Sequence, residues 1–201
     1  SELRRVATMV PDVAQRLAEA FWPGPLTLVV PKSAAVPAVV TAGGDTVAVR
    51  VPEHPVALAL LRAADVPVAA PSANLFSRPS PTTAAHVLAD LSGRIDLVLD
   101  GGPCRVGVES TVLDLTTAPP RILRPGAVTE ADLRPFLPAL VVGPRPSPDG
   151  PLASPGLLDT HYAPVAPLTL IRGTARATRE WMAGDARAAR ARGARIGVLT
   201  W

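Results

Sequence analysis

Val66-Pro67-Val68-Ala69-Ala70-Pro71-Ser72-Ala73-Asn74 is a short apolar run that stops abruptly in small polar residues. Val66, Val68, Ala69 and Ala70 suit a strand covered on both faces, while Pro71 withholds the next ladder donor and Ser72 and Asn74 bring a hydroxyl and an amide to its end. The pattern predicts a buried strand emptying into a pocket where small side chains leave room for a ligand. Ligands in α/β folds gather at strand ends, so the stretch places the chain in that class.

Working outward toward the N-terminus, a helix over about 55–64 precedes this strand. Before it, Thr46-Val47-Ala48-Val49-Arg50-Val51 alternates, with the three valines on one face and Thr46, Ala48 and Arg50 on the other. Residues four apart on a strand are separated by roughly 13 Å, so Thr46 and Arg50 can touch opposite ends of one elongated ligand. The competing reading is a half-exposed strand carrying a surface arginine. A Gly43-Gly44 turn lies upstream, after an irregular connection. Leu26-Thr27-Leu28-Val29-Val30 reads as a strand stopped by Pro31, and Pro23-Gly24-Pro25 ends a helix over 12–22 that Asp12 caps after Pro11.

Toward the C-terminus, Ser80 as N-cap and Pro81 at the first helical position predict a helix running to Leu91 and stopped by Ser92-Gly93. Asp96 to Asp100 is the next predicted strand, followed by a Gly101-Gly102-Pro103 turn. Ser110 to Leu115 and Arg121 to Arg124 make two more around Pro119-Pro120. Thr129, with Asp132 three residues on, has the form of a capping box with aspartate in place of glutamate. Nine prolines between Pro135 and Pro167 break the periodicity and read as a semi-extended linker. Leu168 to Ile171, a helix over about 175–192, and Ile196 to Leu199 then read as strand, helix, strand. The expected organisation is α/β: residues 1–137 form a twisted mixed sheet with flanking helices, 138–167 a proline-rich linker, and 168–201 the start of a second small α/β domain.

The 201 residues are long enough to bury a real core, and 48% hydrophobic against 18% charged fits a globular protein with no apolar run near twenty residues. Twenty basic residues against 17 acidic ones leave a charge of +3, too small an excess to announce nucleic-acid binding. Cys104 is the single cysteine, which excludes intrachain disulfides and cysteine-based zinc sites and suits a reducing cytoplasm. It follows a Gly-Gly-Pro turn and reads either as a reactive thiol or as a passive packed residue. His54, His86 and His161 are too scattered for a metal triad. Phosphate-loop, dinucleotide, nucleophile-elbow and zinc-protease motifs are all missing from the sequence. Arg50, Ser72, Asn74, Ser110 and Arg124 instead sit at predicted strand ends. Two arginines among hydroxyls, with no nucleophile, suit an anionic substrate held by charge-assisted hydrogen bonds in a reaction driven by positioning and electrostatics.

Five segments, in order and spacing, resemble the YrdC-like threonylcarbamoyl-AMP synthases: Phe21-Trp22-Pro23-Gly24-Pro25-Leu26-Thr27, Thr46 to Pro52, Ala70-Pro71-Ser72-Ala73-Asn74, Glu109-Ser110-Thr111 and Leu123-Arg124-Pro125-Gly126. Ser154-Pro155-Gly156 with His161-Tyr162-Ala163-Pro164 is similar to the linker of the longer, two-domain form. The resemblance implies a twisted α/β fold around a large, positively charged cavity. It also implies a reaction joining L-threonine, bicarbonate and ATP into threonylcarbamoyl-AMP and pyrophosphate, for the t6A modification of tRNA. Residues matching Arg50, Ala70 (through its backbone) and Ser110 would hold threonine, the Ser110 hydroxyl facing a wet cavity. Those matching Thr46, Ser72, Ser80 and Arg124 would hold ATP, Tyr162 would close over the nucleotide, and Mg²⁺ would sit on the phosphates. The implied partners are these substrates and the downstream t6A transferase machinery, with no membrane.

Two departures stand out. The family's upstream Lys-x-Arg phosphate motif is not in this sequence, so the expectation is a fragment short at both ends and a weak catalyst alone. The linker also reads Leu157-Leu158-Asp159-Thr160 where relatives place a basic and an aromatic residue. Competing functions are a double-stranded RNA-binding module, disfavoured by the lean charge and few aromatics, and a carbamoyl-transfer domain of a larger maturation enzyme, disfavoured by the Ser154 to Pro164 linker.

Overall fold

Leu26, Leu28, Val29 and Val30 are wholly buried, because the strand they form has neighbours on both edges and side chains packed on both faces. The computed structural model describes residues 3–143 and 166–198, and the chain divides into two compact units, Ser1–Ala163 and Pro164–Trp201. In the first unit five strands make one mixed sheet in the order β2-β1-β3-β4-β5. They are β1 (Leu26–Pro31), β2 (Thr46–Val49), β3 (Thr111–Asp114), β4 (Arg121–Arg124) and β5 (Val141–Val142). β1 runs antiparallel to β2 and parallel to β3, β3 antiparallel to β4, and β4 parallel to β5. This is the mixed α/β fold that the alternation and apolar runs predict.

The period-two alternation of the strands sorts the core into layers. Leu26, Leu28, Leu113 and Ile122 pack under helix α2 (Asp12–Phe21), which contributes Ala14 and Leu17. The apolar spacing predicts this helix, but Pro11 rather than Asp12 stands at its N-cap and Asp12 is its first helical residue. Burying a side chain such as Leu17 completely is worth about 1.5–3 kcal/mol. Val29, Val112 and Leu123 form the alternate layer. A third group joins Leu3 and Val6 of the short helix α1 (Leu3–Val6) to Val30 and Val36, with Val47 and Val49 of β2 against it. The valine face of β2 therefore packs as its alternation indicates.

The helices α3 (Pro55–Ala64) and α4 (Ala84–Leu91) follow β2, and α5 (Glu130–Leu133) follows β4. Thr129 and Asp132 form the expected reciprocal capping box on α5. Beyond it Leu137 and Leu140 close the core, so the apolar packing continues into the start of the proline-rich stretch. In the second unit, α6 (Ala175–Ala191) is capped by Thr174, whose hydroxyl accepts from the N–H of Ala177.

The strands predicted over 66–74, 96–100 and 168–171 are not formed, and residues 196–198 of the one predicted to Leu199 are irregular, Leu199 lying outside the described residues. Residues 66–74 are irregular and 66–73 are exposed, with Val66 at 55% and Val68 at 49%. Pro67 and Pro71 each withhold a ladder donor, and an apolar run cannot become a strand without an edge to pair with. Residues 96–100 are also irregular, Leu97 and Leu99 lying exposed, as do Leu168, Leu170, Ile196 and Val198 in the second unit. The helix predicted from Ser80 begins instead at Ala84, because the Thr83 hydroxyl accepts the N–H of His86 and takes the cap.

Candidate functional site

The sheet register brings the starts of β1 and β3 and the finish of β4 to one end. Leu26 pairs with Thr111 and Val112 with Arg124, while Val49 pairs with Leu28, so Arg50 leaves β2 at the same end. Thr46 pairs with Pro31 at the other end of β1. The Trp22 to Pro25 turn fixes this end. Trp22 Nε1 donates to Leu26 O at 2.6 Å, Gly24 N to Val51 O at 2.8 Å, and Thr111 N to Pro25 O at 3.0 Å. A Cβ on Gly24 would lie 2.3 Å from the Phe21 carbonyl oxygen, which explains glycine there.

Ser110, 9% exposed, is the centre of the constellation. Its hydroxyl shares a 2.8 Å hydrogen bond with Thr27 Oγ1. Arg124 donates through Nε and Nη2 to the Ser110 carbonyl oxygen at 3.1 and 3.0 Å, and through Nη2 to the hydroxyl at 3.1 Å. Behind them the Thr111 hydroxyl donates to Val128 O at 2.6 Å and accepts Val128 N at 3.1 Å, which satisfies a wholly buried polar group. Gly126 presses on the same turn: a Cβ there would stand 2.4 Å from both Glu109 O and Thr111 N.

Glu109 adds a carboxylate. The Ser80 hydroxyl donates to Glu109 Oε1, and Arg124 Nη2 lies 3.8 Å from Glu109 Oε2. Ser80, Ser110 and Arg124 are thus brought together, with Thr27 and Glu109 as members that sequence reasoning left without a role. Both stand inside the quoted motif segments, but their partners are 83 and 29 residues away. Ala70 and Ser72 lie on the exposed stretch, and Tyr162 lies outside the described residues.

Asn74 builds the loop that leads to Ser80. Its Nδ2 donates to Leu75 O at 2.8 Å and Arg78 O at 3.0 Å, and its buried Oδ1 has no hydrogen-bond partner among the described residues. Asp90 of α4 accepts from Leu75 N at 3.1 Å and from Arg78 Nη1 at 2.5 Å. The Leu75 N–H and then Arg78 hold its carboxyl below the usual aspartate pKa against the opposing effect of desolvation. Cys104 is exposed, its backbone N–H donating to Thr82 O. His54 Nδ1 accepts Val56 N at the start of α3 while Nε2 lies 3.1 Å from Gly101 O, and His86 Nδ1 meets Thr82, so both rings serve local structure. A depression of ≈ 580 Å³ lies beside Lys32 and Asp45, and one of ≈ 210 Å³ beside Pro125 and Thr129.

A family model described as "Telomere recombination", covering Sua5, YciO and YrdC proteins, matches residues 1–126. A second, "Threonylcarbamoyl-AMP synthase, C-terminal domain", matches residues 128–201. The chain is similar to the threonylcarbamoyl-AMP synthase of Pyrococcus abyssi, 47% identical over 86% of this chain and 51% of the relative. It is also similar to that of Bacillus subtilis, 44% identical over 100% of this chain and 57% of the relative. The crystal structure of P. abyssi Sua5 complexed with L-threonine superposes with a TM-score of 0.90 at 40% identity, covering 100% of this chain and 60% of that one. The chain thus spans little more than half the length of these relatives.

Proposed function

The chain belongs to the Sua5–YciO–YrdC family, and from that premise we propose that it carries the substrate-binding part of a threonylcarbamoyl-AMP synthase. The observation that supports this best is the Ser110 turn, whose hydroxyl is held between Thr27 and Arg124 at the sheet end from which Arg50 emerges. The similar P. abyssi protein is the one described with L-threonine.

In the proposed reaction the threonine amine takes up bicarbonate with loss of water to give a carbamate. A carbamate oxygen then attacks the α-phosphorus of ATP, and the bond to the β-phosphate breaks so that pyrophosphate leaves with the electron pair. No protein nucleophile is needed; the protein orients two anions and offsets their charge. Arg50 would pair with the threonine carboxylate, the Ala70 backbone and Ser110 would hold the rest of the amino acid, and Thr46, Ser72, Ser80, Arg124 and Tyr162 would hold the nucleotide. Mg²⁺ would enter on the ATP phosphates and reduce their charge.

The proposed organisation keeps the synthase domain at 1–137, a linker over 138–167 and the start of a C-terminal domain from 168, with a cytoplasmic setting and delivery of the adenylate to the t6A transferase machinery. The described residues contain no helix long and apolar enough to cross a membrane. Pyrophosphate release tests the function: it should require threonine, bicarbonate and ATP together and fall on Ser110→Ala. Release that is indifferent to threonine would overturn the proposal.

A further inference from the structure

A carboxylate beside two groups assigned to a polyanionic nucleotide is electrostatically unfavourable unless it has another task. Glu109 is such a carboxylate. Its Oε1 accepts the Ser80 hydroxyl from the loop ahead of α4, and its Oε2 lies 3.8 Å from Arg124 Nη2 on β4, the two side chains being 33% and 14% exposed. Its backbone is wedged, since Gly126 touches the Glu109 carbonyl so closely that a Cβ there would come within 2.4 Å. The carboxylate therefore projects from a fixed point. The loop it meets is itself braced, by Asn74 across 74–78 and by Asp90 through Leu75 and Arg78.

We infer that Glu109 is a positioning residue, whose carboxylate ties the 75–83 loop to the end of the sheet and so sets Ser80 at a fixed place relative to Arg124. This deepens the proposed function and rests on it for the nucleotide's place, but the tie between Glu109 and the loop is independent of any ligand. Its main contribution is the acceptor oxygen offered to Ser80, and its charge is secondary.

The acceptor can be separated from the charge. Glu109→Gln keeps an oxygen for Ser80 and removes the charge beside Arg124; Glu109→Ala removes both; Ser80→Ala removes the donor. Amide hydrogen exchange across 75–83 should rise about tenfold in Glu109→Ala and in Ser80→Ala, no further in the double variant, and stay near wild type in Glu109→Gln, because two partners of one hydrogen bond are not additive. ATP dissociation constants, measured by calorimetry, should follow the same order, while threonine affinity changes by less than about threefold. Unchanged exchange at 75–83 in Glu109→Ala, additive effects in the double variant, or Gln behaving as Ala would overturn the inference. Exchange behaving as expected in a protein that binds no ATP would leave the tie standing and remove the nucleotide assignment instead. Ser80→Ala keeps the test decisive if Glu109→Ala does not fold.

Discussion

Ser110 shows how a tertiary contact changes the meaning of a single hydroxyl. Read from the sequence, it faces a wet cavity, and Ser110→Ala would leave the melting temperature nearly unchanged. In the structure the hydroxyl is buried against Thr27 Oγ1 and Arg124 Nη2. Its removal leaves two polar partners short of a contact, so Ser110→Ala should destabilise the fold by roughly 1–3 kcal/mol, seen as a lower denaturant midpoint at unchanged slope. Gly126→Ala should be at least as harmful, since the added Cβ would have to displace the Glu109 and Thr111 backbone; overpacking of this kind costs about 1–3 kcal/mol. Thermal melts of that variant check it, and a melting temperature equal to wild type would show that the turn can move aside. Neither effect was legible beforehand, because Thr27 and Ser110 are 83 residues apart and nothing local to either announces the other.

At the scale of elements, β1 to β4 are readable from their own residues, whereas β5, which pairs with β4, lies inside the 138–167 stretch that reads as a linker. β1, β2, β3 and β4 carry alternating or β-branched residues and form where the sequence predicts strands, although Arg50 and Val51 lie beyond the β2 ladder. Val66 to Asn74 and Asp96 to Asp100 have the same apolar character, yet pairing depends on an available edge, which composition does not encode. The cap of α5 was legible because its chemistry lies within four residues. There the Thr129 hydroxyl and backbone N–H both donate to Asp132, and these hydrogen bonds hold its carboxyl below the ordinary aspartate pKa. A pKa lowered on folding gives stability that is present in full above the unfolded value and lost as pH falls through the folded one. The difference in melting temperature between wild type and Asp132→Asn should therefore be present at neutral pH and shrink as acid protonates Asp132. A difference independent of pH would assign the cap's effect to shape alone.

For the whole molecule, apolar side chains divide unequally. The layers around β1, β3 and β4 are closed, whereas Val66, Val68, Phe76, Leu97 and Leu99 are exposed along the segment between β2 and β3. Amides of β1 and β3 should accordingly exchange only with global unfolding, and those of 66–73 and 96–100 orders of magnitude faster. Uniform protection across the unit would contradict this distribution. The closed part presents Arg50, Thr27, Ser110 and Arg124 at one end of the sheet, and the proposal is that threonine binds there at Arg50 and Ser110. Calorimetric titration of wild type and Arg50→Ala with L-threonine and, separately, with ATP tests that claim most directly. Loss of a charge-assisted partner worth roughly 1.5–3 kcal/mol should weaken threonine binding more than about tenfold and leave ATP binding nearly unchanged. Equal losses for both ligands, or no loss for threonine, would contradict it.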